Sequence, residues 1–117
     1  MRIGVLRKED GTVVCARCGI ADTALLRMRG LLGRSSLAAD EGLLIRPAGS
    51  IHMLFMRFSI DAVFCDRDLR VVAIRRDLRP WRFAAARGAR VVVELPAGGA
   101  SAVAEGDRLV VDGAGTA

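Results

Sequence analysis

Apolar positions fall on both parities through the middle of the chain. From Ser50 to Asp66, Ile51, Met53, Phe55, Val63 and Cys65 lie on one parity, and Leu54, Met56, Phe58, Ile60 and Phe64 on the other. That pattern suits β-structure covered on both faces better than a half-wet hairpin. The polar residues of the stretch, His52, Arg57, Ser59 and Asp61, are the exceptions that need a reason. Shorter apolar runs predict strands at Ile3–Leu6 and Thr12–Ala16 around the turn Glu9-Asp10-Gly11, and at Leu43–Ile45 before Pro47 and Gly49. Further strands are predicted at Leu69–Arg75, at Val91–Leu95 before Pro96 and Gly98, and at Leu109–Val111. Ala24, Leu25, Met28, Leu31 and Leu32 repeat at helical spacing and predict one helix over about 22–33. Asp22 is placed to cap its start and Gly33 to end it. Gly30 inside that span is worth about 1 kcal/mol less than Ala in a helix, which points to another backbone passing close by. Residues 100–104 have room for a second helical turn.

Many short strands with one or two short helices make the expected fold mainly β: a compact β-sandwich, jelly-roll-like, or a partly closed barrel. A chain of 117 residues buries roughly two thirds of its unfolded surface and folds without disulfides or metal. The expected organisation is a single domain over 1–112 with a disordered tail at 113–117. Met28, Leu32, Phe55, Ile60, Phe64, Val72, Val92 and Leu95 are expected to share one core.

No apolar run approaches the ~20 residues of a spanning helix, and Met1–Leu6 is cut off by Arg7-Lys8-Glu9-Asp10, too early for a secretory signal. Membrane insertion is therefore not expected. Three cysteines without evident pairing agree with a reducing compartment and a cytoplasmic location. The formal charge is +5, and all the basic residues but Lys8 are Arg, which with abundant Ala and Gly reflects a GC-rich genome more than a task. Arg75, Arg76, Arg79, Arg82, Arg87 and Arg90, interleaved with Trp81 and Phe83, form the densest basic stretch. Cations and rings so mixed are what a single-strand nucleic-acid binder uses. The competing reading is a solvated loop whose Trp81 plugs the edge of the core.

Cys15-Ala-Arg-Cys18 has knuckle spacing, and with Cys65 and His52 supplies the donors of a Cys3His zinc site with none to spare. One knuckle without a second, and a Cys65 that reads as a small core residue, leave no metal and no cofactor expected. His52, Asp61 and Glu94 are the candidate acids and bases, though no catalytic role is fixed for any of them. A lone His in an apolar strand is more often a core residue held neutral by burial. On one straight strand His52 and Asp61 would stand about 30 Å apart, so they meet only if the chain turns near Arg57-Phe58-Ser59. Arg29, if inward, needs Asp61 or Glu41 as partner. Arg29, Glu41, Met56 and Trp81 are the ligand-binding candidates. There is no nucleophile elbow, and Gly98-Gly99 is too short to count as a phosphate cradle.

Several ordered blocks are recognisable: Arg29-Gly30-Leu31-Leu32-Gly33-Arg34, Asp40-Glu41-Gly42-Leu43-Leu44, Ser50-Ile51-His52 with Phe55-Met56, and Ile60-Asp61-Ala62-Val63-Phe64. Pro80-Trp81, Glu94-Leu95-Pro96-Ala97-Gly98 and Gly106-Asp107 complete the set. Together, from about Cys15 to Val111, they resemble the family called domain of unknown function 192. The resemblance implies a compact, mainly β fold of sandwich or jelly-roll kind with a short helix before its main sheet, and no established activity. Family members commonly carry a proline where this chain has Ser59. Three functions are open on this footing. The leading one is a small cytoplasmic binding or accessory module. The second is a hydrolase or lyase using His52 with Asp61 or Glu94, and the third a single-stranded nucleic-acid surface over 75–90. No partner and no oligomeric state is specified.

Overall fold

In the computed structural model, which describes residues 1–116, the N-terminal hairpin forms as the apolar runs require, with β1 spanning Arg2–Lys8 and β2 spanning Val13–Ala21. β2 runs parallel to β3 (Glu41–Ile45). Parallel neighbours need a long crossover, and here it carries helix α1 (Ala24–Arg29). The short ribbon strand β4 (Ser50–His52) follows, then β5 (Ile60–Cys65) and β6 (Val71–Leu78). β7 (Phe83–Ala85), β8 (Val91–Pro96) and β9 (Leu109–Thr116) complete the set. Seven strands make one sheet in the order β6-β5-β8-β3-β2-β1-β9, and β4 pairs with β7 in a separate antiparallel ribbon. The two edges of the large sheet touch at one point, where Arg70 bridges Arg108 and the Leu109 amide donates to the Leu69 carbonyl at 2.9 Å. The sheet therefore curls without closing into a barrel, a mainly β architecture as expected.

Successive strand residues face opposite ways, and here both faces are covered. Val63, Cys65, Val93 and Leu95 join Leu6, Cys18, Ile20 and Leu44 in one cluster. Ile60, Phe64 and Val92 join Ile45, Ile51, Met53 and Met56 in the other, against Leu31 and the ribbon. All six residues of β5 are buried, which is what the two apolar parities predict. The first cluster is packed tightly enough that a Cβ on Gly42 would stand 2.9 Å from Cys15 Sγ and Leu95 Cδ2.

Several expectations are corrected. The eight residues expected in one core divide: Leu95 lies across the sheet from Ile60, Phe64 and Val92, while Met28 and Phe55 are exposed. The helix is six residues, not the span 22–33, with Thr23 rather than Asp22 as its cap, its hydroxyl accepting from the Leu26 amide at 3.2 Å. Gly30 ends it at φ 48 instead of lying within it, so the helical stripe breaks. Leu31 is buried from the following turns, and Leu25 and Met28 face solvent. Residues 97–102 form hydrogen-bonded turns, with no helical turn at 100–104. β9 pairs with β1 as far as Thr116, and Ala117 lies outside the described residues. No helix among the described residues is long and apolar enough to cross a membrane.

Candidate functional site

Asp61 and Glu94 sit on adjacent strands but face opposite ways, because Ala62 is the partner of Glu94 and Leu95 that of Asp61. Asp61, 1% exposed, fills a socket of backbone donors. Its Oδ1 accepts from the Asp77 amide at 2.9 Å, and its Oδ2 from the amides of Gly98 at 3.1 Å and Ala100 at 3.0 Å. Gly98, at φ 87, turns the chain so that these amides converge, and Gly99 is held against the Pro96 carbonyl with no space for a side chain. The glycine pair after β8 is thus an anion cradle occupied by the chain's own carboxylate.

Glu94 is the opposite case. It is 5% exposed, flanked across the strands by Leu43 and Ala62, and takes part in none of the side-chain hydrogen bonds or ion pairs among the described residues. It lines a cavity of about 290 Å³ whose other walls include Arg27, Arg29 and Leu32 from the helix region, Ile45, the ribbon residues Ser50 to His52, and Met56. Burial alone raises its pKa from 4.5 to about 7. The folded protein thus holds a proton that the unfolded chain has released, so this group's contribution to stability is greatest below pH 4.5 and is lost as pH rises through 7. The expected decline is about 3 kcal/mol. Urea unfolding at pH 5 and pH 8 should show most of it in the wild type and none in Glu94→Gln; an equal decline in both would assign it to other groups.

The cavity brings together four of the residues singled out from the sequence: His52, Glu94, Arg29 and Met56. His52 is exposed, contrary to its reading as a core residue; its Nδ1 accepts from the Leu54 amide at 3.3 Å. The chain does turn between residues 53 and 59, but it does not bring His52 to Asp61, whose oxygens are engaged elsewhere. Arg29 is exposed and pairs with neither Asp61 nor Glu41. Glu41 instead takes Arg34 at 2.9 Å and the Ala38 amide at 2.9 Å, and Arg34, first among these causes, holds its carboxyl below the usual range.

Trp81 is not a plug in the core: it is 58% exposed, with its ring centroid 4.9 Å from that of Phe55, itself 70% exposed. Phe83, 72% exposed, lies 6.4 Å from the His52 ring. Phe55 and Trp81 both have left-handed backbones, φ 65 and 67, at a cost of order 1–3 kcal/mol each. The Trp81 amide is fixed by the Met53 carbonyl at 2.8 Å. Cys15, Cys18 and Cys65 are free and buried in one cluster. Burial pushes the Cys65 thiol up to about 12, while the hydrogen bond to Cys15, then burial, keeps the proton on Cys18. No group of three or more His, Cys, Asp or Glu among the described residues is placed to hold a metal ion.

Comparison with known proteins adds a family model, DUF192, described as "Uncharacterized ACR", which matches residues 5–111. A UPF0127 protein of Thermococcus sibiricus is 37% identical over 99 residues, covering 80% of this chain and 64% of its own length. This chain therefore spans a little under two thirds of that relative. A UPF0127 protein of Pyrococcus furiosus is 39% identical over 111 residues, covering 90% and 95%. Among solved structures, a protein from Sinorhizobium meliloti described as a "putative transcription regulator" aligns with TM-score 0.80 at 24% identity, covering 94% of this chain and 92% of its own. A protein of unknown function from Novosphingobium aromaticivorans aligns with TM-score 0.78 at 24% identity, covering 92% and 83%. At that identity the likeness is one of fold.

Proposed function

The chain belongs to the DUF192 family, whose relatives carry no assigned activity, and from that premise we propose that it is a small binding module whose site is the Glu94 cavity. The ligand class is a small polar molecule that offers an ammonium or other hydrogen-bond donor to Glu94 and an anionic group to Arg29 at the mouth. One observation carries this reading: an unpartnered carboxyl, 5% exposed, faces a cavity where its strand neighbours are apolar. A carboxyl so little exposed and without a protein partner is costly to ionise, and a leucine at this place would pack with less penalty. A ligand that supplies the missing donor recovers part of that cost. The cavity volume is at the low end for small-molecule sites, which suits a ligand of metabolite size. A reducing, cytoplasmic setting accords with the three buried thiols.

A thermal-shift screen of amines, zwitterions and carboxylates tests the proposal. A ligand at a hundred times its dissociation constant is expected to stabilise the protein by about 2.7 kcal/mol, and Glu94→Gln is expected to abolish the shift. Hits indifferent to that substitution, or a panel in which no amine or zwitterion binds, would sink it. The presence of His52 and Glu94 in one cavity, the latter poised to exchange a proton near neutral pH, also favours a second reading, general acid–base chemistry. Turnover of simple ester, phosphate or glycoside substrates, lost in His52→Ala with the fold intact, would move the assignment to an enzyme.

A further inference from the structure

We propose that the open end of the β4–β7 ribbon is a binding surface for single-stranded nucleic acid, with bases stacked on Trp81 and Phe83 and phosphates held by Arg75, Arg79 and Arg82. This surface adjoins the Glu94 cavity where Phe83 meets His52, but the two share no lining residue. It rests first on how charge is divided along the chain. Residues 46–90 contain ten Arg against four Asp, a formal +6, whereas the remaining residues hold eight cations against nine carboxylates. The six ion pairs among the described residues all use cations from outside that segment. Within the segment Asp61 is buried in its socket and Arg76 is committed to the carbonyls of Ala100 and Val103. Arg75, Arg79 and Arg82 are left without carboxylate partners, and they line a shallow groove of about 470 Å³ together with Phe83 and Asp77. Asp77 is the one carboxylate there and disfavours a phosphate at its own position.

The rings supply the second argument. Folding normally hides large aromatics, yet Phe55, Trp81 and Phe83 stand in solvent at the ribbon's end. Two of them are held there by left-handed backbones that bulky residues rarely adopt. Strained geometry that displays a ring is expected where the ring meets a partner. The interleaving identifies which partner. A lipid surface would seat the rings deepest and leave cations at the rim, whereas here Phe83 shares its groove with four guanidinium groups, only one of which, that of Arg76, is held by two carbonyls. A duplex hides its base faces, so stacking requires unpaired bases.

Fluorescence anisotropy with a labelled 12-mer of deoxythymidine tests this at 50 and 200 mM salt. Three phosphate contacts predict a log–log slope near −2, hence an affinity loss of roughly 20-fold between those salts. Trp81→Ala is expected to weaken binding by about 5-fold or more, since each stacked base carries at least that much. Arg79→Gln combined with Arg82→Gln should reduce the slope by about 1.4. All these side chains are exposed, so the variants should keep the wild-type melting temperature, which is checked in parallel. The proposal fails if the 12-mer does not bind at 50 mM salt or if Trp81→Ala binds as well as the wild type. It fails equally if a duplex of the same length or phosphatidylserine vesicles bind as tightly. Glu94→Gln should leave binding unchanged, and its loss there would place the nucleotide in the cavity instead.

Discussion

Asp61→Ala is expected to destabilise the protein by at least about 4 kcal/mol. The carboxylate accepts from the amides of Asp77, Gly98 and Ala100, and hydrogen bonds to a charged group contribute about 1.5–3 kcal/mol each. Alanine removes both acceptor oxygens and all three bonds, and a side chain that was 1% exposed leaves its donors facing protein rather than water. Since small domains have only about 5–15 kcal/mol in total, the variant should unfold at low urea or fail to fold. Asp61→Asn keeps the shape and one acceptor, and is expected to lose roughly half as much. Urea midpoints for the pair decide the matter: an Asp61→Ala protein within 1 kcal/mol of wild type would mean that the socket is held by its own turns.

Phe64→Ala is expected to cost about 4 kcal/mol by a different mechanism. Phe64 is fully buried on the face of β5 opposite to Asp61, among Ile60, Met53, Met56 and Val92. Truncating a buried Phe loses its transfer free energy and leaves a void that neighbours on fixed strands fill only partly, which together amount to about 3–5 kcal/mol. Because β5 has neighbours on both sides, β6 and β8, it has little freedom to collapse into that void. Phe64→Leu, which keeps most of the volume, should recover more than half of the loss. A loss below 1 kcal/mol for the alanine variant would show that this face is loosely packed.

The sequence made β5 and β8 legible because burial on two faces leaves a local signature, apolar residues on consecutive positions. The same signature marks the polar residues inside it. A carboxylate in Ile60-Asp61-Ala62-Val63 and another in Val92-Val93-Glu94-Leu95 had to be buried, and alternation along β8 places Glu94 with Val92 and Leu95 with Val93. What the sequence could not supply was strand registry, which sends Asp61 to the glycine turn after β8 and leaves Glu94 without a partner. The Gly98-Gly99 pair looked too short for a phosphate cradle, and its anion turned out to come from 37 residues earlier in the same chain. Phe55 misled for another reason. Apolar character says that a ring would gain from burial, but at Phe55 the backbone takes φ 65 and the ring stands exposed, and positive φ is not written in composition. The helix was overextended because Leu31 and Leu32 continue a helical spacing that the backbone abandons at Gly30.

The three thiols, all enclosed in one cluster, give the molecule a built-in chemical clock for its own opening. With no thiol at the surface, a small thiol-directed alkylating reagent can react only with molecules that have opened, so its rate reads the free energy of that opening directly. Cys15 and Cys18 lie in β2, two strands in from the β9 edge, and Cys65 in β5, next to the β6 edge at the other end of the strand order. Separate rates for the two positions would therefore show whether the curled sheet comes apart as one unit or sheds its N-terminal strands first.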